Sequence, residues 1–192
     1  MRVTGGSARG RRLKAPPAGA RPTSDIVREA IFDTLQARNA DMSRVLDLYA
    51  GSGALGIEAL SRGADWCDFV ESSAASAAVI DENVHLIGLE TRGRVHKMTV
   101  ERAAKRLQGP YTLVLADPPY EDEAAARALE HIAAAGLVGP ETTLVLEHSR
   151  RRTPLQELGP LQMTWSRRYG DTQVSIYGVA TASRPEDEEG TS

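Results

Sequence analysis

The chain has 192 residues, 41% hydrophobic and 26% charged, with a net charge of −3. That is the balance of one soluble globular domain with enough apolar surface for its own core. No apolar run is long enough to span a membrane, and the basic first residues are not followed by the apolar core of a signal peptide. Cys67, the only cysteine, excludes an internal disulfide and fits a reducing, cytoplasmic compartment; His85, His96, His131 and His148 form no close pair at metal-ligand spacing, so no metal is expected.

The mean charge hides a gradient. Residues 1–24 hold six bases (Arg2, Arg9, Arg11, Arg12, Lys14, Arg21) and no acid, +6, whereas residues 181–192 hold Glu186, Asp187, Glu188 and Glu189 against Arg184, −3. Residues 1–22 therefore read as a basic arm and linker, 23–180 as the folded domain, and 181–192 as a disordered acidic tail. Within the arm, Arg2-Val3 and Arg12-Leu13-Lys14 are placed to form a small hairpin around the glycines, and Ala15 to Pro22 follows as linker. Glycine lets a backbone follow a phosphate chain and arginine grips phosphates bidentately. Arg9, Arg11, Arg12, Lys14 and Arg21 are the nucleic-acid candidates; the alternative is a solvated, disordered terminus.

Next comes a helix. Thr23, Ser24 and Asp25 are candidate caps, and Val27, Ala30, Ile31 and Leu35 recur at helical spacing. The following stretch, Arg44 to Leu60, reads as a buried strand, a glycine turn and a second helix stopped by Gly63. Its Gly51-Ser-Gly53-Ala-Leu-Gly56 satisfies G-x-G-x-x-G, with Glu71 twenty positions after Gly51, a pattern shared with dinucleotide sites and weak alone. Asp47 shifts the balance. A carboxylate at a strand end facing the turn repels a pyrophosphate but suits a cation. S-adenosylmethionine, with its ammonium and sulfonium, fits better than NAD, and no Lys-Ser/Thr follows the glycines as a phosphate-cradling loop requires. Asp47, Tyr49, Gly51, Ser52 and Gly53 are the candidate cofactor residues of this turn. Glu71, ending a second strand from Asp65, can accept both hydroxyls of a ribose, with Ser72 holding its turn; Ser72 or Ser73 caps the helix that follows.

Strands and helices then alternate. Strands read from Arg94 to Thr99, Tyr111 to Asp117 and Thr143 to His148, with helices between, argue for right-handed βαβ units. Near the end the rhythm changes: Met163 to Tyr169 and Gln173 to Val179 meet at Gly170-Asp171, a hairpin signal. Seven strands result. The fold class is α/β: a mainly parallel sheet ending in an antiparallel hairpin, the class I methyltransferase (Rossmann-like) arrangement, with a small N-terminal extension.

Asp117-Pro118-Pro119-Tyr120 ends the fourth strand. Two prolines fix φ and remove two backbone donors, so the carbonyls there stand as acceptors. The Asp117 carboxylate and the Pro118 carbonyl make a two-acceptor site for the two N–H groups of an exocyclic amine, and Tyr120 offers a flat face for a base. Asp117, Pro118 and Tyr120 are the catalytic candidates. The bland alternative is an ordinary Pro-Pro turn.

These residues carry a resemblance. Val45–Leu60 and Asp117–Tyr120 resemble the cofactor loop and D/N-P-P-Y motif of amino-group methyltransferases. With Gly5-Gly-Ser-Ala-Arg-Gly-Arg-Arg-Leu, Arg21-Pro-Thr-Ser-Asp-Ile-Val-Arg-Glu, Ser61-Arg-Gly-Ala64 and Arg168-Tyr-Gly-Asp-Thr172, residues 2–180 resemble the bacterial small-subunit (16S) ribosomal RNA guanine-N2 methyltransferase family of D type. The resemblance implies methyl transfer from S-adenosylmethionine to the 2-amino group of one guanine in 16S rRNA, on an assembled or nearly assembled small subunit. The motif equally suits adenine N6, cytosine N4 or a glutamine amide; an NAD-binding oxidoreductase or regulatory module is the alternative from another class. One departure stands out. An acid after the third strand often binds the adenine amine in such enzymes. Here Thr99 or Val100 occupies the place, with Glu101 or a backbone group as substitutes.

Overall fold

The structure, a computed structural model, describes residues 1–15, 24–119, 125–151, 153 and 155–178. Arg21, Tyr120 and the tail 181–192 lie outside the described residues. Helix α1 (Asp25–Ala37) starts at Ser24, whose hydroxyl accepts the Val27 N–H at 3.2 Å. Then alternate β1 (Arg44–Leu48), α2 (Ala54–Ser61), β2 (Trp66–Glu71), α3 (Ala74–Leu86), β3 (Gly93–Lys97), α4 (Val100–Arg106), β4 (Leu113–Ala116), α5 (Ala125–Ala134) and β5 (Thr143–Ser149). The chain closes with β6 (Glu157–Leu158), β7 (Leu161–Tyr169) and β8 (Thr172–Gly178).

The strand order is β3-β2-β1-β4-β5-β8-β7-β6. The first five run parallel and the rest pair antiparallel. All seven strands read from the sequence are present. The eighth, β6, is two residues long and folds back on β7 across Gly159-Pro160, too short to leave any alternation in the sequence. The central strands are covered on both faces, which explains their nearly continuous apolar runs. Val45, Leu113 and Val145 pack with Ile31 and Phe32 of α1, Ile57 of α2 and Ile80 of α3. Leu46, Leu48, Val114 and Leu144 pack with Val100 of α4 and Leu129 and Ile132 of α5.

The first fourteen residues are part of this packing. Arg2 bridges Arg12 antiparallel, and Val3 N–H donates to the Arg11 carbonyl at 3.0 Å. Val3, Ala8 and Leu13 are buried in the core on the α1–α3 face. Gly6 has φ of +73°, and a Cβ there would fall 1.8 Å from the Ser61 carbonyl oxygen, so only glycine fits against the end of α2. The hairpin expected from Arg2-Val3 and Arg12-Leu13-Lys14 is present. It lies along α2, because its apolar residues and its backbone find partners there.

Glu58 is the centre of that docking. It is fully buried in α2. Its Oε1 accepts from Thr4 Oγ1 at 2.7 Å, Gly5 N at 2.7 Å and Arg62 Nε at 2.9 Å. Its Oε2 accepts from Thr4 N at 2.8 Å and Arg28 Nε at 3.3 Å. Arg28, equally buried, also reaches the Arg2 carbonyl and Asp25 Oδ1, the latter at 2.7 Å. A buried charge is tolerated when it is paired and its remaining hydrogen-bonding sites are filled, and both charges meet that condition here.

Candidate active site

The sheet reverses direction of winding between β1 and β4, the place where open α/β sheets bind ligands beyond the carboxyl ends of their strands. Leu48 stands opposite Val70 on one side and Ala116 on the other, so the next residues along, Tyr49, Glu71 and Asp117, line one edge. Three of the sequence candidates are thus brought together by register alone.

Asp47 sits one layer below, 1% exposed, with Oδ2 accepting the Gly56 N–H at 2.9 Å. That approach needs glycine: a Cβ at Gly56 would fall 2.4 Å from the Phe69 ring and 2.9 Å from Asp47 Oδ2. Gly56 therefore lets α2 close onto β1 and β2. Burial pushes the Asp47 carboxyl up to about 7; the Gly56 N–H opposes the shift, and the Asp117 and Glu71 charges add to it. Asp47 and Glu71 form no ion pair among the described residues. This edge is a place of concentrated negative charge that a cationic ligand would relieve. The residues present fit the methionine end of S-adenosylmethionine on that ground.

The glycine loop is held in place by its neighbours. Gly51 N–H donates to Glu71 Oε2 at 2.8 Å, and Ser73 N–H to Glu71 Oε1 at 2.7 Å. Glu71 thus ties the loop to the start of α3. Ser73 rather than Ser72 is the cap: its hydroxyl accepts the Ser76 N–H at 3.3 Å, while Ser72 is exposed. The helix begins at Ala74, and only the residue directly before it can reach the third N–H. Ser52 is buried, its hydroxyl 3.7 Å from Met1 Sδ and its carbonyl accepting from Asn83 Nδ2 at 2.9 Å, so its side chain points away from the loop's open side. Tyr49 adopts φ of +57° and Gly53 φ of +78°. A tyrosine held in that region is uncommon, and such outliers collect at ligand sites.

Thr99 is the exposed residue before α4 and makes no cap bond; its side chain is hydrogen-bonded to Glu101, whose carboxyl it holds below the usual range. Asp117 is half-buried, Pro118 is buried and Pro119 exposed. Among the described residues no group of three or more His, Cys, Asp or Glu is arranged to hold a metal. No described helix is long and apolar enough to cross a membrane.

The arm candidates divide. Arg11 donates to the Leu86 carbonyl, and Lys14 pairs with Glu82 at 2.7 Å, so both are tied to α3. Arg9 and Arg12 are exposed. Sequence reading missed Asn83, fully buried on α3. It donates to the Ser52 carbonyl at 2.9 Å and the Lys14 carbonyl at 3.1 Å, and accepts the Lys14 N–H at 2.7 Å. It joins the glycine loop to the base of the hairpin, and its signal in sequence is an amide on a helix face that is otherwise apolar or small.

Asp47→Asn is expected to separate the two costs of this carboxylate. The amide oxygen still accepts the Gly56 N–H, but the charge is gone. Affinity for S-adenosylmethionine should fall by roughly 1–3 kcal/mol, as for loss of a charged hydrogen-bond partner. The ligand-free protein should show the opposite sign. Its raised carboxyl pKa means that the wild type loses stability as pH rises through about 7. The variant does not titrate there, so its advantage in melting temperature should grow from pH 5 to pH 8. Calorimetric titration and thermal melts across that range check both; unchanged affinity in a folded variant removes Asp47 from the cofactor site.

The comparisons with known proteins agree with this fold. The model of the family described as "Conserved hypothetical protein 95" matches residues 1–178. "Putative rRNA methyltransferase YlbH" of Bacillus subtilis (strain 168) is 38% identical over 182 residues, covering 92% of this chain and 98% of its own. "Ribosomal RNA small subunit methyltransferase D" of Escherichia coli (strain K12) is 32% identical over 148 residues, covering 77% of this chain and 74% of its own. The solved structure named "Putative methyltransferase yhhF from Escherichia coli" superposes with a TM-score of 0.79 at 28% identity, covering 92% of this chain and 96% of that one. The chain has the class I methyltransferase fold and belongs to the Conserved hypothetical protein 95 family, that of the D-type small-subunit ribosomal RNA methyltransferases.

Proposed function

We propose that this protein transfers a methyl group from S-adenosylmethionine to the exocyclic N2 amine of a guanine in 16S rRNA, within an assembled or nearly assembled small ribosomal subunit. The observation that supports the reading is the row Tyr49–Glu71–Asp117, in which the acid that follows β4 stands level with the residues that follow β1 and end β2. S-adenosylmethionine supplies the methyl on its sulfonium sulfur and leaves as the neutral thioether S-adenosylhomocysteine, and the methylated nitrogen gives up one proton, to Asp117 or to water. Asp47 faces the cationic end of the cofactor. Glu71, with one lone pair on each oxygen used by backbone N–H groups, keeps others for the ribose hydroxyls. Tyr49, Gly51, Ser52 and Gly53 offer main chain, Ser72 lies at the rim beside Glu71, and Thr99 with Glu101 borders the adenine end. Asp117 and the Pro118 carbonyl accept the two amine hydrogens. They orient the nitrogen lone pair toward the methyl group and favour the charge that develops on nitrogen. Tyr120 stacks on the extruded base.

Both curated relatives carry names of ribosomal RNA methyltransferases, and the small-subunit substrate is carried over from the name of the Escherichia coli one. The test is transfer of tritiated methyl to purified small subunits, naked 16S rRNA and DNA, with the modified nucleoside identified by mass spectrometry. N2-methylguanine in small subunits is the expected product. Methylated adenine or cytosine as the product would replace the guanine assignment, and label in DNA alone would replace the substrate.

A further inference from the structure

Four arginines that the arm does not supply lie along the substrate half of the site. The glycine loop and Glu71 place the cofactor over β1 and β2. A nucleotide that reaches Asp117 must therefore lie over β4 and the strands beyond it, β5, β8 and β7. On that same carboxyl edge β5 ends at Ser149, and the β7–β8 turn falls at Gly170-Asp171. Arg150 and Arg151 follow β5 and Arg167 and Arg168 precede the turn, all four exposed. Arg150 N–H donates to the Asp171 carbonyl at 3.0 Å, which holds the end of β5 against the turn. From β4 to β7 is three strand spacings, about 14 Å, the span of a few nucleotides of RNA.

The basic hairpin meets the glycine loop at its base, through Asn83, and runs away from it along α2. Its tip binds the far end of α2: Ser7 N–H and Ala8 N–H reach Ser61 at 2.7 and 2.9 Å. The eight residues of α2 put that tip roughly 12 Å from the glycine loop. Arg11 and Lys14 are tied to α3. The arm is thus the weaker candidate for holding the strand beside the target base.

We infer that Arg150, Arg151, Arg167 and Arg168 form a phosphate-binding surface that grips the RNA strand flanking the methylated nucleotide, an inference that rests on the proposed RNA substrate. Among the described residues the acid that touches them is Asp171, which pairs with Arg150 at 3.2 Å; both side chains are more than half exposed, so the pair is readily exchanged for a phosphate. The Arg167 guanidinium stacks over the Tyr169 ring, 5.6 Å from its centroid, which limits its freedom and leaves its N–H edges for oxygen acceptors.

The test compares full-length wild type with the variant Arg150→Gln/Arg151→Gln/Arg167→Gln/Arg168→Gln and with Arg9→Gln/Arg12→Gln. Binding is measured against salt on small subunits and on an unrelated RNA of equal length. S-adenosylmethionine affinity and the melting curve serve as controls. The quadruple variant should keep both controls and flatten the log-affinity against log-salt slope by about 0.7 for each phosphate no longer neutralised, on both RNAs. The arm variant should flatten it less. An unchanged slope in the quadruple variant, or a larger effect in the arm variant, overturns the assignment. A wild type without salt-dependent RNA binding overturns it as well. If both RNAs show the arginine dependence while mass spectrometry finds a product other than N2-methylguanine, the surface stands and the substrate reading fails.

Discussion

Glu58→Ala is expected to destabilise the fold by about 3–5 kcal/mol, the scale for removing one partner of a buried ion pair. The carboxylate is fully buried and receives five hydrogen-bond donations, from Thr4 N and Oγ1, Gly5 N, Arg28 Nε and Arg62 Nε. Alanine leaves the buried Arg28 guanidinium with Asp25 and a main-chain carbonyl, and frees Thr4 and Gly5 from α2. Glu58→Gln keeps the shape and one acceptor oxygen but not the charge, so it should fall between wild type and alanine. Deleting residues 1–14 should be at least as harmful as Glu58→Ala, since it also uncovers Val3, Ala8 and Leu13. Urea unfolding with an unchanged slope between variants measures this. Loss of less than about 1 kcal/mol in Glu58→Ala would mean that the hairpin is held by its apolar residues and that the buried pair contributes little net stability, as happens for some buried ion pairs.

The same region shows where sequence reading stops. Strands β1, β4 and β5 are legible because burial on both faces leaves short apolar runs, broken in β1 by Asp47, and the helix start at Ser24 is legible because a hydroxyl there has one local partner. The position of the hairpin is not local information. Its glycines and arginines suggest flexibility and phosphates, whereas Gly6 is required by the Ser61 carbonyl and Arg11 is tied to Leu86. A signal did exist: Glu58 is the one acid in α2, a helix whose every residue is buried, and such an acid needs a cation from elsewhere in the chain. Within the site, Asp47, Glu71 and Asp117 are legible because strand ends beside a glycine turn have a known place in this fold. The split between Ser72 and Ser73 is decided by one residue of helix phase, and Asn83 acts across the fold rather than along the chain.

Asp117→Ala is expected to cut the single-turnover rate of methyl transfer by about 100-fold or more, the scale for removing one preorganised transition-state interaction. Asp117 stands at the end of β4, in line with Tyr49 and Glu71 across the strand reversal, and its charge is felt by Asp47. In the proposed reaction the amine gains positive character as the bond to the methyl carbon forms. The Asp117 carboxylate is then worth more in the transition state than in the bound ground state, and its removal falls on the rate rather than on substrate binding. Two further effects give the variant a signature. Cofactor affinity should change little, and the Asp47 carboxyl, relieved of a neighbouring charge, should titrate at lower pH. Asp117→Asn keeps an oxygen for one amine N–H but places an N–H donor where the charge was, so it should recover only part of the rate. Tyr120→Ala provides the contrast: removing a stacking face worth roughly 1–3 kcal/mol should weaken capture of the base, while Tyr120→Phe stays near wild type. Single-turnover methylation of small subunits by the four variants, with cofactor binding in parallel, measures all of this. Transfer by Asp117→Ala within a few-fold of wild type would reduce Asp117-Pro118-Pro119 to a turn, and the acceptor for the amine would have to be sought on another strand end.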